Sequence, residues 1–89
     1  MVRIHTAAQL GAAVRARRNE DGLTQAALAS RAGISRRTLI AIEQGHPAGE
    51  IGRVLDVLHA LNLDIELAPA PSERDDDETD LLDVAGRGL

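Results

Sequence analysis

Two short helix-forming runs with only three residues between them set the tightest limit on how this chain can fold. Residues 24–32 read "TQAALASRA", residues 36–44 read "RRTLIAIEQ", and Gly33-Ile34-Ser35 joins them. Thr24 and Ser35 are residue types that cap a helix by accepting a backbone N–H, so each run begins with its own cap. Gly33 stands where the first run must stop and the chain must turn, a position that needs positive φ. So short a link forces the two helices into contact at a steep angle. Counting from Gln25, Ala29 falls at the closest crossing, where only a small side chain fits. Ile34, Leu39 and Ile42 fall where the second helix must bury itself against the first.

The flanking sequence supplies further helices. Thr6 is an N-cap for a helix over residues 6–19, in which Ala7, Leu10, Gly11, Val14 and Arg18 share a face. Glu20-Asp21-Gly22 stops it. Gly45 closes the run after Ser35, "HPAG" is a turn, and residues 50–61 predict a fourth helix, or a fourth and fifth with a kink. It carries Ile51, Val54, Leu55, Leu58 and Leu61. Asn62 breaks the pattern, and "LDIELA" then alternates apolar and acidic residues at strand period through Leu63, Ile65 and Leu67. A lone strand leaves its backbone groups unpaired, and the same strand of a second copy is the simplest partner. The expected architecture is all-α over residues 1–70, with a short C-terminal strand pairing across a dimer. Residues 71–89 form an acidic tail with too few apolar residues to fold alone, and disorder is expected there.

Composition removes several function classes. The 89 residues include no aromatic side chain, so the core must be built from Leu, Ile, Val and Ala. The absence of cysteine excludes a disulfide framework or a thiolate metal site and suits a reducing compartment. His5, His46 and His59 match no chelating spacing, and "DDDETD" lacks the glycine and terminal Glu of a calcium loop, so no metal is expected. Ser30, Ser35 and Ser72 have no base assigned to them and no glycine-rich phosphate loop is present. Neither an enzyme nor a cofactor is expected. No apolar run suggests a signal peptide or membrane helix, which makes a cytoplasmic protein the expectation.

The formal net charge is −4, yet its distribution is uneven. Residues 1–42 hold seven Arg against Glu20 and Asp21 alone. Residues 43–71 hold Arg53 against five acids, and residues 72–89 hold two Arg against seven acids. A basic front and an acidic rear are a pattern to examine for a nucleic-acid partner. All ten basic residues are Arg, the better bidentate donor to phosphate and guanine, although GC-rich coding produces the same bias.

The capped pair of runs has the organisation of a helix-turn-helix, and "GLTQAALASRAGISRRTLIAIEQG" resembles the Cro and lambda-type repressor class, also called XRE. That resemblance covers residues 10–61 and implies a lambda-repressor-like domain of four or five helices. "LNLDIELAP" is similar to the end of HipB-type antitoxins, where a short strand pairs across a dimer. The resemblance implies roles by position. Gln25 would meet a phosphate at the N-terminus of the first motif helix, and Ser35 would touch phosphate while capping the recognition helix. Arg36 and Arg37 would reach base edges in the major groove from its first turn. Thr38 would contact a phosphate or a thymine methyl; Ala41 offers only apolar contact where relatives often carry a longer polar group. Arg15 and Arg17 would meet backbone phosphates, as would His46. Arg18 and Glu43 match a salt bridge that ties the first helix to the recognition helix, with Ala29 and Gly33 as structural positions. Leu63, Ile65 and Leu67 would lie at the dimer interface.

The function so implied is a homodimeric, sequence-specific repressor on a palindromic double-stranded operator, nucleoid-associated when bound. Within that class the resemblance favours the antitoxin of a HipBA-like operon that represses itself and neutralises a HipA-like kinase toxin. Two alternatives stay open: a free-standing XRE-family regulator, and a protein-interaction module acting through its acidic tail. The tail itself has three readings, namely plain disorder, a toxin-binding segment using Leu81, Leu82 and Val84, and a DNA mimic competing for the basic face.

Overall fold

The computed structural model describes residues 2–46 and 50–70. The tail, its Leu81, Leu82 and Val84, and most of "HPAG" lie outside the described residues. Among the described residues four helices follow one another: α1 (Ala7–Glu20), α2 (Gln25–Ala32), α3 (Arg36–Glu43) and α4 (Ile51–Ala60). Three begin on the side-chain caps that the sequence indicates. Thr6 Oγ1 accepts the Gln9 N–H at 3.0 Å, and Gln9 Oε1 accepts the Thr6 N–H at 3.2 Å, which completes a capping box. Thr24 accepts from the Ala27 N–H and Ser35 from the Thr38 N–H, each at 3.0 Å. Glu50 precedes α4 without a side-chain cap.

All four helices end in one bonding pattern. After α2 the Gly33 N–H donates to the Ser30 carbonyl and the Ile34 N–H to the Ala29 carbonyl, a Schellman closure around a φ of 73°. Gly22 and Leu23 close α1 in the same way, Gly45 and His46 close α3, and Asn62 and Leu63 close α4. At Asn62, with φ 58°, the short polar side chain replaces the usual glycine. A Cβ added to Gly33 would meet nothing within 4 Å, so Gly33→Ala isolates the cost of the left-handed backbone. We expect it to lower stability by about 1–2 kcal/mol, read as a urea midpoint shift at unchanged slope.

α2 packs against both α3 and α4, while α3 packs against α1. Their shared core consists of Val14, Leu28, Ala29, Leu39, Ile42, Val54, Val57, Leu58 and Leu61. Ala29 sits buried between α2 and its neighbours, as its spacing requires. α1 and α3 approach even more closely. A Cβ on Gly11 would lie 2.6 Å from the Glu43 carbonyl oxygen and would also overlap the Ile42 carbonyl. At this seam α1 rests directly on the backbone that ends α3.

The described residues bear on two expectations. Residues 51–60 form one helix, and no fifth helix follows among the described residues. Residues 63–70 form no ladder with any other described residue. Leu63 packs against the core, whereas Ile65 is 52% and Leu67 94% exposed. Those residues keep the alternating pattern of a strand without a pairing partner among the described residues. No described helix is long and apolar enough to cross a membrane.

Candidate nucleic-acid interface

The first turn of α3 is set by what precedes it. The Gly33 closure ends α2, Ile34 packs half-buried against the core, and Ser35 turns the chain into α3. Ser35 Oγ lies 2.8 Å from Thr38 Oγ1 besides capping the helix, so Thr38 is held on the same turn. With Leu39 and Ile42 buried on one side of α3, Arg36 and Arg37 are left exposed to solvent at its start. Helical spacing then places Thr38 and Ala41, both half-buried, along the edge of that face.

Behind this face lies a buried ion pair. Glu43 Oε2 accepts from Arg18 Nε at 2.7 Å and Glu43 Oε1 from Arg18 Nη2 at 3.2 Å. The two side chains are only 10% and 4% exposed. Arg18 Nη1 also donates to the Leu23 carbonyl at 2.9 Å, so the pair fastens α1, the α1–α2 connection and the end of α3 together. Burial makes the bidentate geometry matter, since each charge lacks water and depends on its partner.

The pair also reaches the surface. Gln25 Nε2 donates to Glu43 Oε1 at 3.2 Å, and Gln25 Oε1 accepts from Arg36 Nη2 at 3.3 Å. A chain of polar contacts thus runs from Arg18 through Glu43 and Gln25 to Arg36. Gln25, half-buried at the start of α2, is engaged at both ends of its amide. Arg36 is therefore oriented by its neighbours, while Arg37 makes no such contact among the described residues.

The remaining positions separate. Arg37, Thr38, Ala41 and His46 line one notch of about 320 Å³ between α3 and α4. His46 Nε2 lies 3.2 Å from Gln44 Oε1. Ile42, Glu50 and Arg53 also line the notch; the sequence places Glu50 and Arg53 only in or beside the fourth helix. Arg15 is exposed on α1, and Arg17 is paired with Asp21 at 3.4 Å across one helical turn. Neither is joined by a hydrogen bond to the Arg36 cluster among the described residues.

A family model described as a helix-turn-helix domain matches residues 9–70, from the first turn of α1 through the segment after α4. The chain belongs to this helix-turn-helix family. It is 44% identical over 72 residues to y4mF of Sinorhizobium fredii (strain NBRC 101917 / NGR234), an uncharacterized HTH-type transcriptional regulator. That match covers 81% of this chain and 93% of the relative. Among solved structures, the chain of a HipB-O4 20mer complex superposes with a TM-score of 0.75 at 27% identity, covering 80% of this chain and 100% of that one. A chain of a HipA-HipB-O2-O3 complex superposes at 0.74 with 25% identity and the same two coverages. In family terms α2 and α3 are the helix-turn-helix, α3 is its second helix, and the exposed arginines stand on that helix's first turn.

Proposed function

We propose that this chain is a sequence-specific DNA-binding transcriptional repressor acting as a homodimer on a pseudo-palindromic operator. The observation that carries this reading is the exposed Arg36–Arg37 pair at the start of α3, with Arg36 braced by Gln25. A helix-turn-helix offers that turn to base edges in the major groove, and a guanidinium fork matches the O6 and N7 acceptors of guanine. Gln25, Ser35, Thr38, Ala41 and His46 would border the same contact, and Arg15 and Arg17 would add phosphate contacts. Dimerisation would use Leu63, Ile65 and Leu67 with the apolar residues that α4 leaves outside, Ile51 and Leu55. Residues 1–70 would then be the DNA-binding and dimerisation unit. The likeness to HipB chains, one of them from a structure that also contains HipA, favours an antitoxin that represses its own operon and sequesters a HipA-like kinase toxin. Such a protein would work in the cytoplasm and associate with the nucleoid when bound.

Binding to duplexes selected by the wild type from a randomised library tests the reading. Wild-type affinity should fall steeply as salt rises. Arg36→Ala and Arg37→Ala should each cost roughly 1–3 kcal/mol, concentrated at one base position per half-site. A double variant that binds the selected duplex like the wild type would sink the proposal.

A further inference from the structure

We infer that Arg53 is a further phosphate-binding residue of the DNA-binding face, and that Glu50 competes with DNA for it. The inference rests on the DNA-binding reading above and adds a second helix to the contact. Arg53 stands in the first turn of α4, yet it lines the same notch as Arg37, Thr38, Ala41 and His46 of the α3 side. An anion entering that notch from the recognition face meets two guanidinium groups, supplied by two helices. Being on α4, Arg53 is not on the turn that reads base edges. A phosphate oxygen is the acceptor left for it, and phosphate contacts are what set a protein's register on the duplex.

The present partner of Arg53 is weakly held. Its Nε lies 3.5 Å from Glu50 Oε2, with the two side chains 47% and 76% exposed. The contrast is with Arg18 and Glu43, bidentate and almost dry. An exposed single-point pair is worth little against water and salt, so exchange of the Glu50 carboxylate for a phosphate costs little. Glu50 makes no capping hydrogen bond to α4, which frees its side chain to move away without loosening the helix. In the free protein Glu50 neutralises a charge that DNA binding would uncover. The acid therefore lowers affinity for any duplex, and Arg53 raises it for any duplex.

The test uses the duplex selected by the wild type, labelled and titrated by fluorescence anisotropy across a salt series. Arg53→Ala removes one phosphate contact from each half of the dimer, so it should weaken binding about 60-fold near 0.1 M salt and make the log–log salt slope shallower by about 1.8, alike for selected and unrelated duplexes. Arg53→Lys should keep the wild-type slope, because phosphate contact needs the charge more than the fork. Glu50→Gln should tighten binding about two- to fivefold, and that gain should vanish when Arg53→Ala is present. An unchanged slope and affinity in Arg53→Ala overturns the inference. So does a loss confined to one base position, which would make Arg53 a base reader. A Glu50→Gln gain that persists without Arg53 overturns the competition, since it would reflect plain repulsion of DNA. A wild type that selects no duplex would instead defeat the DNA-binding reading itself, so the two failures are distinct.

Discussion

Glu43→Ala should remove about 3–5 kcal/mol of stability, the cost of leaving a buried charge without its partner. Arg18 would then keep a guanidinium that is 10% exposed and joined only to the Leu23 carbonyl. A domain of this size has about 5–15 kcal/mol in all, so the variant should sit near the edge of folding at room temperature. Urea denaturation checks the magnitude, and a midpoint equal to that of the wild type would mean that water already serves the pair. The complementary change is instructive. Replacing both partners together, as Arg18→Met with Glu43→Leu, should recover much of the loss, because two apolar groups leave no charge behind. Glu43 also anchors Gln25, so the recovered double variant should still hold Arg36 less firmly than the wild type does.

Gly11→Ala should cost about 3 kcal/mol net, although alanine is the better helix former by about 1 kcal/mol. The new methyl group would overlap three backbone atoms of Ile42 and Glu43, all within 2.8 Å. Backbone at the end of a packed helix has no rotamer through which to escape, so α1 and α3 must separate. Separation strains the Arg18–Glu43 pair beside the seam and lifts Val14 from the core. The comparison with Gly33→Ala is informative: one glycine is required for space and the other for its dihedral angle, and only the first change should disturb contacts across the molecule. A circular-dichroism melt in which Gly11→Ala matched the wild type would show that α1 and α3 can part at the seam without cost.

Much of this was legible in the residues because the signals are local. Thr6, Thr24 and Ser35 announce helix starts within three residues of the N–H groups they satisfy, and Gly33 announces a stop that only positive φ allows. Ala29 falls by its spacing at the closest crossing of α2 and α3, whereas Gly11 showed only as one member of a helix face, and its contact with the end of α3 emerges from the packing. The fourth helix was harder to read. Its apolar residues lie on more than one side, so periodicity alone does not select the buried arc. Val57 turns out to be fully buried, while Ile51 is 68% and Leu55 45% exposed. Only the position of α2 decides which arc is covered. The Gln25 contacts were illegible for a different reason, since their partners lie 11 and 18 residues away and depend on how α1, α2 and α3 assemble. Arg53 joins the α3 notch through the same assembly. The strand period of Leu63, Ile65 and Leu67 was visible, but a period names a conformation without supplying the neighbour that would pair with it.

The closures at the ends of α1 and α2 have a mechanical meaning. Asp21, Gly22 and Leu23 donate their three successive N–H groups to α1 carbonyls, and Gly33 and Ile34 donate theirs to α2 carbonyls. With the Arg18 guanidinium drawing in the Leu23 carbonyl, little backbone at either corner is left to flex. Bonded corners of this kind join α1, α2 and α3 into a stiff unit. On the proposed reading, a stiff template leaves the double helix to do the bending. Base steps that the protein never touches would then influence affinity through how easily they kink or twist to meet it.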